Sequence, residues 1–145
     1  MKFQTIIDKS CEEKVLIYAK QRTKQIEDIE SYISNIGTEL LGYDENRDTV
    51  KLSASEIYCF IVEENKIYAL TDSGKFRINQ RLYEIEELVS ADFVKINQSC
   101  LVRVDKIKRF HSSIGGSLMV TMEGGYRDYI SRRQLKIVKE RIGIT

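Results

Sequence analysis

Between residues 39 and 130 the apolar residues come in short runs, and turn-forming residues divide almost every run from the next. That punctuation constrains the chain more than any other feature, because strands are this short and helices seldom are. Residues 56–62 are the longest such run, and Glu63-Glu64-Asn65-Lys66 reads as a turn after it. Residues 67–71 and 75–78 read as a hairpin around Asp72-Ser73-Gly74, where glycine supplies the positive φ of a tight turn. Upstream, 39–43 and 49–52 flank the turn-rich Asp44-Glu45-Asn46-Arg47. Residues 93–96 read as a strand, and Asn97-Gln98-Ser99-Cys100 is a polar break before Leu101-Val102. The segments 107–111, 117–122 and 126–130 read as three antiparallel strands, turned by Gly115-Gly116 and Gly124-Gly125.

Helical spacing shows at three places. Ile26, Ile29, Ile33 and Ile36 make one apolar face after a Thr23 cap, ending at Gly37. Asn79 reads as the cap of a second helix, with Leu82, Ile85, Leu88 and Val89 inward. Ser131-Arg132-Arg133-Gln134 fits a capping box opening a third, with Leu135, Val138 and Ile142 inward. Near the N-terminus, residues 2–7 and 14–19 read as two short strands. The expected organisation is therefore an N-terminal β-β-α extension, residues 1–37, followed by a domain of residues 38–145. The fold class is α+β, mostly β, with antiparallel strands and flanking helices. The chain has no proline, where ordinary usage would give about seven in this length, so Pro-rich and collagen-like architectures are excluded.

The motifs of catalysis are missing. His111 is the single histidine, so a multi-histidine metal site has no ligands. Cys11, Cys59 and Cys100 form no CxxC-type pair, which leaves zinc unsupported. Without an apolar leader after Met1, the expectation is reduced thiols in a cytoplasmic protein. No phosphate-cradling glycine motif follows a strand. We expect no enzyme activity, no cofactor and no small-molecule substrate.

Charge is distributed unevenly. From Lys95 to Thr145 there are eleven bases against four acids, net +7, so the preceding part carries net −6. A basic third of this kind points to a polyanion, nucleic acid first, although a basic face balanced by an acidic one gives the same count. Arg132-Arg133 at the start of a helix are disfavoured by the helix dipole, so another attraction must account for them, either phosphate or base contact or pairing with acidic surface residues. Asn, Gln and Arg are the side chains that read base edges bidentately. The helices are separated by strands, so no helix-turn-helix is expected. Loops and helix ends must do any reading.

These segments resemble a known family. Ser55-Glu56-Ile57-Tyr58-Cys59-Phe60, Asp72-Ser73-Gly74-Lys75-Phe76-Arg77-Ile78, Phe93-Val94-Lys95-Ile96-Asn97-Gln98-Ser99-Cys100-Leu101-Val102 and Ile130-Ser131-Arg132-Arg133-Gln134-Leu135 follow the order and spacing of a LytTR-type DNA-binding domain over about residues 38–143. The chain is similar to small stand-alone members that lack a receiver domain. The resemblance implies a bacterial, response-regulator-like transcription factor whose loops enter successive major grooves of double-stranded DNA. It implies three contact places: Asn65 with Lys66, Asn97 with Gln98, and Arg133 with Arg132. Lys136 is expected on phosphate. Relatives carry His at times where Asn65 stands and often where Asn97 stands, which bears on base preference. Arg103 replaces a common Asn and is expected to alter a turn or add a phosphate contact. A homodimer on DNA is expected, since such regulators often occupy paired half-sites. The rival reading is a protein-interaction module without DNA contact, its extension docking a partner, such as the membrane-protein companion that the resemblance implies.

Overall fold

The structure, a computed structural model, describes residues 1–35, 39–112 and 114–143. The predicted helix end at Ile36-Gly37 and the boundary between residues 37 and 38 lie outside the described residues. Helix α1 spans Lys24–Asn35. Thr23 caps it as expected, its hydroxyl accepting from the Ile26 N–H at 3.4 Å. Ten strands follow. They are β1 Glu39–Tyr43, β2 Thr49–Ser53, β3 Ile57–Glu63, β4 Lys66–Thr71, β5 Gly74–Ile78, β6 Phe93–Asn97, β7 Cys100–Arg103, β8 Ile107–Ser112, β9 Leu118–Met122 and β10 Arg127–Tyr129. Helix α2, Leu82–Val89, lies between β5 and β6, and α3, Leu135–Ile142, comes last. The fold is mostly β, with antiparallel sheets and three helices among the described residues.

Seven strands form one sheet in the order β2-β1-β5-β4-β3-β7-β6, and β10-β9-β8 form a second. Strand β3 is deep inside the larger sheet and covered on both faces. Ile57 and Phe60 join a core with Ile85 and Val89 of α2. Cys59 and Ile61 join another with Val120 and Met122 of the second sheet and Val138 of α3. A strand buried on both sides needs an unbroken apolar run, and that is what residues 57–62 supply. A register shift between Ile57 and Cys59 turns Tyr58 to the same side as Cys59.

Two expectations about element ends are corrected. Helix α2 begins after Arg81, not Asn79: the Glu84 and Ile85 N–H groups donate to the Arg81 carbonyl at 3.0 and 3.1 Å. The strands expected at 2–7 and 14–19 do not form, and both stretches are almost wholly exposed. Only the turn between them is made, with the Ser10 N–H donating to Asp8 Oδ1 at 2.9 Å. Two short strands with no third to pair against are at best marginal in water. Among the described residues no helix is long and apolar enough to cross a membrane.

Candidate nucleic-acid interface

The hairpin between β3 and β4 turns on two residues, since Glu63 pairs directly with Lys66. Glu64 and Asn65 both have positive φ, 49° and 63°. That is the mirror-image turn whose twist matches antiparallel strands, and asparagine tolerates it better than most residues. Asn65 and Lys66 are exposed at the tip. One strand over, Gln98 and Ser99 connect β6 to β7. The Val62 N–H donates to the Ser99 carbonyl at 3.0 Å, which brings this second turn to the same end of the sheet as the first. Gln98 is exposed there. A third segment reaches this end when the Ser131 N–H donates to the Ile96 carbonyl at 2.8 Å. Arg132 and Arg133 follow it and are exposed. The three predicted places are therefore neighbours along one edge.

Arg132 and Arg133 lie in a turn before α3 rather than in its first turn. The capping box is not made: Gln134 is the residue before the helix, and its N–H donates to the Ser131 carbonyl at 3.1 Å. Both still stand beside the N-terminus of α3, whose positive end disfavours cations.

Asn97 is a correction. It is 2% exposed, and its amide is used internally. Nδ2 donates to Asp128 Oδ1 at 3.1 Å and to the Tyr129 carbonyl at 2.9 Å, while Oδ1 accepts from the Ser99 N–H at 2.8 Å. The cause is a bulge between Lys95 and Asn97, which turns Asn97 inward beside Ile96. Asp128 also accepts from the Tyr126 hydroxyl at 2.8 Å and from the Tyr129 N–H at 2.8 Å. This polar strap fastens the Gln98 turn to the strand that leads into Arg132. Burial, then the bond to Asp128, pushes the Tyr126 phenol well above its ordinary range, so it stays a donor.

Arg103 is a second correction. It is 3% exposed, with Nε 2.7 Å from Asp105, Nη2 3.7 Å from Asp92, and Nη1 donating to the Ala54 carbonyl at 3.1 Å. Its guanidinium also lies 5.6 Å from the Phe93 ring centre. It is an internal cation and offers nothing to phosphate. Arg132, Arg133 and Lys136, by contrast, are exposed and make no ion pair among the described residues. Glu63, next to the hairpin tip, is paired with Lys75.

A family model described as the LytTr DNA-binding domain matches residues 47–143. The chain belongs to the LytTR family. It is 26% identical over 147 residues to an uncharacterized HTH-type transcriptional regulator of Staphylococcus aureus (strain MSSA476), with 99% of each chain covered. A similar regulator from strain NCTC 8325 / PS 47 is 26% identical over 130 residues, 88% of each chain. Among solved structures, the LytTr DNA-binding domain of a Bacillus cereus protein described as a methyl-accepting/DNA response regulator matches with a TM-score of 0.67. That match has 17% identity and covers 74% of this chain and 100% of the other. It shows the fold.

Sequence reasoning overlooked Asp128 and Tyr126 in this LytTR domain. A signal was present. Tyr126, Asp128 and Ile130 alternate onto one face of a strand, and Ile130 is in the core. An acid on the inward face of a strand needs partners, and Asn97 and Tyr126 are those partners.

Proposed function

We propose that this LytTR chain is a sequence-specific binder of double-stranded DNA that regulates transcription in the bacterial cytoplasm. It grips the duplex with two turns and the segment before α3. Arg133 reaches a base edge in the major groove, Gln98 and Asn65 add hydrogen bonds to bases or backbone, and Lys66, Arg132 and Lys136 hold phosphates. Asn97 touches no base and sets the shape of the Gln98 turn. The observation that carries this reading is the gathering of three exposed polar places along one edge, two of them basic and without internal ion pairs. The relatives named transcriptional regulators support the regulatory role. Their names say helix-turn-helix, but α1, α2 and α3 are each separated by strands, so the edge acts in place of a recognition helix. Two copies occupy paired half-sites.

The test is selection of bound sequences from a random duplex pool. Arg133→Ala should lose about 1–3 kcal/mol of binding and relax one base position. Lys136→Ala should weaken all sequences alike and lower the salt slope by about one. Unchanged selection by Arg133→Ala removes that residue from the base contacts. The second reading, a protein-interaction module, is favoured by the exposed Phe3, Ile7 and Tyr18 of the N-terminal segment. It requires affinity for random duplex that is indifferent to salt.

A further inference from the structure

The second sheet carries charge that the proposed edge does not use. Phe110, Val120 and Met122 point into the core, so their alternating neighbours on β8 and β9 point away from it. Register then lays out two rows on the outer face. Arg109 pairs with Thr121, and Thr121 with Arg127; His111 pairs with Met119, and Met119 with Tyr129. A register shift between Ile107 and Arg109 inserts Lys108 as an extra residue. Ile107 packs toward the core, while Lys108 and Arg109 are both exposed. Bulges re-aim side chains in this way, and this one adds a third base to a face that regular pairing would give only two.

Among the described residues no carboxylate is paired with them. Glu123 is paired with Lys106 at 3.5 Å, Asp105 lies 2.7 Å from the Arg103 Nε, and Asp128 is turned inward onto Asn97. Lys108, Arg109 and Arg127 are exposed and make no ion pair among the described residues. Arg109 and Arg127 stand two strand spacings apart, about 10 Å, where like charges without a counter-charge repel. The chain runs on from β10 through the buried Ile130 and the half-buried Ser131 to the exposed Arg132 and Arg133. From Arg127 to Arg132 an extended chain covers about 16 Å, or roughly five base pairs of duplex.

We propose that this outer face is a second phosphate-binding surface, which takes the backbone of duplex DNA flanking the base-contacting edge. The inference rests on the DNA-binding reading above and adds Lys108, Arg109 and Arg127 to it. Its closeness along the chain to Arg132 and Arg133, five and six residues beyond Arg127, favours DNA over other polyanions. These three side chains set how much flanking duplex the protein needs, and carry no sequence preference.

The experiment compares the full-length chain with the double variant Arg109→Gln, Arg127→Gln. Both positions are exposed, and circular dichroism with thermal melting checks that the variant folds. Affinity is measured against salt on the selected site with long flanks and on the same site trimmed to its core. On the long duplex the variant should bind more weakly at low salt, with a log–log slope smaller by about 1.8. A fourfold rise in salt should therefore weaken wild type about twelvefold more than the variant. On the trimmed duplex the two should bind alike, and both should select the same sequence. Equal slopes and equal affinities on the long duplex, with wild type binding normally, overturn this inference and leave the DNA reading standing. Wild type that binds no duplex overturns both. Loss of binding to phosphatidylserine vesicles in the variant, with duplex binding unchanged, assigns the face to a lipid surface instead.

Discussion

At the scale of the residue, the proposed interface is shaped by side chains turned inward from it. Asn97 satisfies the Ser99 N–H and the Tyr129 carbonyl at once, and Asp128 holds Asn97 and Tyr126 together. Asn97→Ala removes three hydrogen bonds of this part-buried strap, a loss of about 1–3 kcal/mol in stability by chemical denaturation. It should also lower affinity for the selected site, because the Gln98 turn loses its anchor. Asp128→Ala should do the same. Asp128→Asn, which can still accept from Asn97 and face the Tyr126 hydroxyl, should restore much of both losses. A full loss in Asp128→Asn would mean that charge, not connection, is what the strap supplies. The thiols divide just as sharply. Cys11 is exposed, while Cys59 and Cys100 are buried. A hydrogen bond with Cys59, then burial, pushes the Cys100 thiol far above its ordinary range. It stays protonated at neutral pH and is a poor nucleophile. A thiol reagent should label one cysteine per native chain and three in denaturant. Labelling of a second in the native state would show that the strands around Cys100 open.

At the scale of the element, the closest approach is at β1. A Cβ on Gly42 would sit 2.7 Å from Leu52 Cδ1 and 2.9 Å from Phe76 Cβ. The Leu52 tip can swing aside, but the Phe76 Cβ is fixed to its strand. Gly42→Ala should therefore cost about 1–3 kcal/mol, read as a lower denaturation midpoint at unchanged m. A neutral result would mean that β1 shifts freely against β5. Elements were legible in proportion to how local their cause is. The β3 run, the Glu64-Asn65 turn and the Thr23 cap each follow from a few adjacent residues. The bulges do not, because they arise from the partner strand, and so Asn97 was expected at the surface and is found inside. The Ser131 capping pattern failed for a related reason: the Ile96 carbonyl takes the Ser131 N–H, and the helix starts one turn later. Arg103 was expected to alter a turn or add a phosphate contact, since nothing local to it announces Asp92 or the Ala54 carbonyl. Of the proposed contact places, the turns and their charge were readable from the residues, while the contact roles came from the family resemblance. The strap behind them was readable only through the odd inward position of Asp128.

At the scale of the molecule, the chain divides into a domain with two cores and a leading segment with none. Apart from the half-buried Ile17, residues 1–23 are exposed, including Phe3, Ile6, Ile7, Val15, Leu16 and Tyr18. Apolar side chains already in water contribute nothing to the difference between folded and unfolded states. Removing residues 1–21 keeps Thr23 as the cap of α1 and takes no residue from either core. The truncated chain should thus have the same denaturation midpoint as the full chain at low protein concentration. Its m should also be unchanged, since m follows the surface newly exposed on unfolding, and this segment exposes almost none. Any covering of these side chains by a second copy would make the full chain's midpoint rise with protein concentration while the truncated chain's stayed level. A midpoint that falls on truncation at every concentration would instead mean that the segment packs against its own domain, contrary to the exposure described for it.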